Sequence, residues 1–111
     1  MEGVLTSWLI LLVAIICEVA GTLTLKFTDG MTRLWPTVLM LAFYVASLFG
    51  LSIAVARIPV GTAYAVWSGL GTLMVAAIGI VWFKEQVTLL RCASTLLIVA
   101  GVAGLYLTAT E

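Results

Sequence analysis

Four long apolar stretches, cut by three short polar ones, make up the pattern of this chain. Gly3 to Leu25 runs 23 residues with one charge, Glu18, and Leu34 to Ala56 runs 23 with none. Ile58 to Phe83 runs 26 residues and Cys92 to Thr110 runs 19, neither with a charge. A helix crossing the hydrocarbon core, roughly 30 Å thick, needs about 20 mostly apolar residues at a rise of 1.5 Å each. Barrel strands would be about ten residues long and alternate in polarity, and these runs do neither. The pattern predicts an all-α fold, a single transmembrane domain over 1–111 with helices at about 4–26, 33–56, 58–83 and 87–108.

The polar breaks are short. Lys26 to Arg33 holds an Asp29-Gly30 turn signal, Arg57 to Gly61 holds Pro59, and Lys84 to Gln86 with Arg91 marks the third. Connections of this size force consecutive helices to run antiparallel. Trp35 and Trp82 fall near helix ends, where amphipathic rings prefer the headgroup layer.

Composition sharpens the class. Of 111 residues 64% are hydrophobic, and the charged ones are five basic and five acidic, with no histidine. A soluble fold of this size buries only about 60–65% of its unfolded surface, so much of this apolar area would face water. Disordered chains are poor in such residues. A net charge of zero, with scattered bases, argues against a nucleic-acid partner. The two cysteines, Cys17 and Cys92, fall inside expected helices and read as apolar packing. Without histidine or further thiols no closed metal site is expected. No nucleophile stands beside a base, so the chain does not read as an enzyme. Transport, sensing or assembly within the membrane is left.

Glu18 is the informative charge. It lies four positions beyond the centre of the first run, about 6 Å from the bilayer midplane in an upright helix. An ionised carboxylate there costs several kcal/mol unless it faces protein or a watery cavity, and such a residue marks an ion or proton path by default. Leu11, Ala14, Ile15, Gly21 and Thr22 share its helix face at spacings of three, four and seven. Tyr44, Ser47 and Leu48 form a stripe on the second helix, and Tyr64, Trp67 and Ser68 on the third. A carboxylate with aromatic faces is what an apolar cation needs: charge compensation, cation–π attraction and apolar contact. Gly69 and Gly71 weaken the middle of helix three and suggest a hinge, although glycines there serve close packing equally well.

One four-helix chain has too few helices to wall off a path and carries no internal repeat of the Glu18 segment. Alternating access is commonly built from two inverted copies, so an antiparallel dimer would supply what a single chain lacks. Ser94, Gly101 and Gly104 form a small-residue strip on helix four, the expected interface.

The stretches Glu18-Val-Ala-Gly-Thr22, Leu25-Lys-Phe27, Gly30-Met-Thr-Arg-Leu-Trp-Pro36 and Pro59-Val-Gly-Thr-Ala-Tyr-Ala-Val-Trp-Ser-Gly-Leu-Gly71 resemble the small multidrug resistance transporters over essentially the whole chain. The resemblance implies four-helix subunits that pair, commonly antiparallel, in the bacterial inner membrane and exchange protons for cations. It needs no cofactor, only the proton gradient. It gives Glu18 both proton and substrate, and matches Tyr44, Tyr64 and Trp67 to an aromatic lining. The guanidinium-exporting branch typically carries a tryptophan shortly after this glutamate. Gly21-Thr22 stand there instead, similar to the branch that exports quaternary ammonium compounds. Ser94 departs from the glycine of that branch's helix-four strip.

The expected partners are lipid, protons, cationic small molecules and a second copy of the chain. Lys26, Arg33, Lys84 and Arg91 on one side against Arg57 on the other would place loops one and three in the cytoplasm. Such a bias also suits one half of a heterodimer with an oppositely oriented paralogue. Two alternatives stay open: a guanidinium exporter of the same fold, and a membrane assembly or sensor protein without transport.

Overall fold

The computed structural model describes residues 2–109; Thr110, the end of the fourth apolar run, lies outside them. It holds four α-helices: α1 (Glu2–Leu25), α2 (Leu34–Ala54), α3 (Val60–Val81) and α4 (Leu89–Ala109). All four are long and apolar enough to cross a membrane.

Their ends follow from local chemistry. After α1 the chain turns through three consecutive left-handed residues, Asp29 (φ 50°), Gly30 (φ 69°) and Met31 (φ 66°). Thr28 ties the turn together: its hydroxyl donates to the Leu25 carbonyl at 2.8 Å and accepts from the Met31 amide at 3.1 Å, and the side chain is fully buried. Pro36 falls in the first turn of α2, where its missing N–H costs nothing. Pro59 precedes α3 in an extended conformation, and its carbonyl accepts the first helical bond, from the Ala63 amide at 2.8 Å. Beyond α3, Lys84 adopts a left-handed conformation (φ 56°) and turns the chain back, so that the Glu85 amide caps the Gly79 carbonyl at 3.1 Å.

The helices are not a closed bundle. α1 packs most extensively on α2 and also meets α3, and α3 carries α4, which reaches back to α1 where Tyr106 stands against Trp8, ring centroids 5.0 Å apart. The molecule measures 45 × 36 × 18 Å. The thin dimension is less than two helix diameters, each about 10 Å with side chains. Small residues set the spacing. A Cβ on Gly21 would meet the Tyr44 ring at 2.6 Å, and one on Gly50 would meet the Ala14 Cβ at 3.0 Å, so α1 and α2 approach through both glycines. Gly69 does the same for α3 and α4, its Cβ position lying 2.5 Å from a Val102 methyl.

The core is narrow. Leu11, Ile15, Val19, Ala54, Ile58, Ala63 and Val66 are buried against one another where α1, α3 and the end of α2 meet. Large apolar side chains such as Leu9, Phe49, Leu96 and Leu97 face outward. In water that surface would aggregate; facing lipid tails it needs no cover.

Candidate functional site

Glu18 sits half-buried on the side of α1 that meets α3. One turn further on, the Thr22 hydroxyl donates to its Oε1 at 3.0 Å. The same hydroxyl lies 3.0 Å from the Tyr44 hydroxyl on α2. A threonine has one proton to give. Since that proton goes to Glu18, Tyr44 donates to Thr22, and a directed chain runs Tyr44 to Thr22 to Glu18. The other carboxylate oxygen, Oε2, reaches α3, 3.3 Å from where a Cβ on Gly71 would stand. Gly71 therefore opens the space into which the carboxylate projects. Among the described residues no lysine or arginine pairs with Glu18; the ion pair present joins Arg91 to Glu85.

Around this carboxylate lies a cavity of about 520 Å³, lined by Thr22 from α1 and by Tyr64, Trp67, Ser68, Thr72, Val75 and Ala76 from α3. It continues to Glu85 and Arg91 beyond the end of α3. Tyr64 and Trp67 stand edge to face, ring centroids 5.5 Å apart, and Tyr64 is largely exposed. One buried polar atom of this lining, Trp67 Nε1, has no hydrogen-bond partner; Ser47 Oγ, buried on α2 away from the lining, has none either. A buried unpaired donor costs about 1–3 kcal/mol, which is tolerated where a ligand completes the bond. A second hollow of about 390 Å³, between Trp8, Leu11, Val66 and Tyr106, is almost entirely apolar and has no charged side chain in its lining.

The residues expected to line a site divide into two groups. Glu18, Thr22, Tyr64, Trp67 and Ser68 meet in the cavity, and Tyr44 joins through Thr22. Leu11 and Ile15 lie instead in the core, and Ala14 is spent on the contact with Gly50. Leu48 points outward, 58% exposed, while Ser47, one position earlier, is fully buried. The reason is rotational. Steps of three and four residues mark a face about 100° wide, and a neighbouring helix covers only part of it.

α3 is unbroken through Gly69 and Gly71, and both serve close approach: Gly69 to α4, Gly71 to the Glu18 carboxylate. Ser94, Gly101 and Gly104 are exposed on α4, and a Cβ on either glycine would meet nothing within 4 Å. Cys92 is exposed on the same helix rather than packed. Sequence reasoning passed over Thr72, Val75 and Ala76, although they continue the Trp67–Ser68 face at helical spacing. It also passed over Glu85, which it counted only as a loop charge.

The fold and the cavity define a four-helix membrane protein with an intramembrane carboxylate beside aromatic rings. The profile of the family described as "Small Multidrug Resistance protein" matches residues 6–98. The chain is 45% identical over 101 residues to the guanidinium exporter of Citrobacter freundii, covering 91% of this chain and 96% of that one. It is 43% identical over 101 residues to the membrane protein YvaE of Bacillus subtilis (91% and 85% covered), and 40% identical over 105 to YvdR of the same organism (95% and 99%). The chain belongs to the small multidrug resistance family. It is thus a transporter of a four-helix family whose members generally work as dimers, and a multi-pass protein of the bacterial inner membrane.

Proposed function

We propose that this chain is one subunit of a proton-coupled antiporter that exports lipophilic cations such as quaternary ammonium ions. The observation that carries the reading is the Glu18 carboxylate, held by Thr22 and bordered by Trp67 and Tyr64, with no basic side chain among the described residues paired to it. A cation or a proton can neutralise it, and not both at once. That competition couples the two gradients without nucleotide or cofactor. When Glu18 is ionised, the chain from Tyr44 through Thr22 stabilises the negative charge. When it is protonated the carboxyl can donate, and both hydroxyls reverse.

Two copies in opposite orientation would place two such carboxylates on a shared chamber. Gly69 and Gly71 remain candidates for the flexing that exposes the chamber to each side in turn. The exposed Ser94–Gly101–Gly104 strip would meet its equivalent on the partner. Quaternary ammonium substrates fit a chamber with aromatic faces and no tryptophan shortly after Glu18.

A second reading, guanidinium export, is favoured by the identity to guanidinium exporters. Proteoliposomes of the purified chain decide. Tetraalkylammonium or guanidinium should evoke proton flux in the wild type and none in Glu18→Gln. Flux that survives this substitution overturns the antiporter reading, and cation-independent behaviour of the wild type favours an assembly role. Relative turnover of the two cations separates the substrate classes.

A further inference from the structure

α3 carries two buried glycines, and each houses a carboxylate. The Glu18 Oε2 stands 3.3 Å from the Cβ position of Gly71, and the Glu85 Oε1 stands 2.6 Å from that of Gly79. The notches are eight residues apart, about 12 Å along the helix. Both carboxylates line the same cavity, Glu18 inside the membrane span and Glu85 beyond its end.

What distinguishes them is cover. Glu18 has none. The Arg91 guanidinium donates to Glu85 Oε1 at 2.6 Å and to the Gln86 carbonyl at 3.0 Å. The backbone brings Glu85 to the notch, since the left-handed Lys84 turns the chain back and the Glu85 amide bonds to the Gly79 carbonyl. An ion pair this exposed, with side chains 34% and 43% accessible, contributes only about 0–1 kcal/mol to stability. Stability is thus a weak reason for seating a carboxylate in a helix notch at the end of a cation-binding cavity. The nearby Lys26 ammonium is not a rival for the seat, because it lies over the Phe83 ring at 3.9 Å.

The seat consists of a carboxylate and a backbone carbonyl that together hold a guanidinium, at present one tethered to α4. We propose that Glu85 and the Gln86 carbonyl form a second, outer site for guanidinium-class cations, which Arg91 occupies at rest and yields to a cation on its way to or from Glu18. This inference rests on the reading of the cavity as a cation path. A free guanidinium presents the same planar set of donors as Arg91 and replaces its bonds one for one. A tetraalkylammonium ion has no donors and cannot. The outer site thus separates the two cation classes before either reaches Glu18.

The test uses the full purified chain in bicelles, with guanidinium chloride and tetramethylammonium chloride as probes at equal ionic strength, followed through the amide resonances of Gly79 and Glu85. In Glu18→Gln, where the inner site is silent, guanidinium shifts both resonances saturably and tetramethylammonium does not. Adding Arg91→Gln removes the tethered competitor and tightens the response about tenfold. Adding Glu85→Gln to that double variant abolishes it, and Glu85→Asp restores part. No saturable shift, a shift indifferent to Glu85→Gln, or an equal response to tetramethylammonium overturns the proposal. The two readings fail separately: flux persisting in Glu18→Gln sinks the antiporter, while these shifts are read without transport.

Discussion

Replacing Gly21 by alanine should damage this protein through one ring. The added Cβ would stand 2.6 Å from Tyr44 Cε1, 2.7 Å from Cδ1 and 3.3 Å from the Phe43 Cβ. Carbon atoms rest at about 3.5–4.0 Å, so the ring must retreat by about 1 Å. The Tyr44 hydroxyl now lies 3.0 Å from Thr22 Oγ1, and a retreat of that size breaks the bond. Overpacking of this kind costs about 1–3 kcal/mol, and the lost hydrogen bond about 1 more.

Thermal unfolding of the purified chain reads the first term, and binding of a tetraalkylammonium ion reads whether Glu18 has lost support. The decisive comparison is in the Tyr44→Ala background, where the space is already empty. There Gly21→Ala should cost nothing and even stabilise by about 0.4–1 kcal/mol, as a compatible glycine-to-alanine change within a helix does. An undiminished loss in that background would refute the argument, because the damage would then come from somewhere other than the ring.

Two further outcomes follow from the same geometry. Thr22→Val keeps the shape and removes the hydroxyl that bonds the carboxylate, so cation affinity should fall by about 1.5–3 kcal/mol. Tyr44→Phe acts at one remove and should cost less, and the double variant should cost no more than Thr22→Val alone; additive losses in binding titrations would contradict the chain. Gly101→Leu and Gly104→Leu add bulk where this chain offers no contact, so the isolated fold should keep its helix content while chemical cross-linking between copies drops. Unchanged cross-linking would exclude α4 as the pairing surface.

Much of the architecture was legible because hydrocarbon is an exacting solvent. Runs such as Leu34 to Ala56 have one stable form in it, and Glu18 stands out because a charge there requires a reason. The neighbours of each helix were not legible. These helices are apolar nearly all round, so no stripe declares which flank of α1 takes α2 and which takes α3. Leu48 and Ser47 show the cost: the stripe named both, and one rotation step of 100° put the serine inside and the leucine outside. The link from Tyr44 to Thr22 was hidden for a similar reason, since it depends on α1 and α2 closing to the distance that Gly21 permits. Glu85 was hidden by category. Loop charges were read for topology, and a left-handed Lys84 that folds one of them back onto Gly79 leaves no mark in the pattern.

The flat array of helices, 18 Å thin, bears on how the protein lives in its membrane. So flat an array has two broad sides and only a narrow core, so only part of its cohesion comes from within. Under the proposed pairing, much of the free energy holding each copy in shape is contributed by its neighbour, and it grows with the number of neighbours available. Resistance to heat or detergent should therefore rise with the ratio of protein to lipid. At low expression, copies waiting for a mate would be the ones the cell's proteases remove.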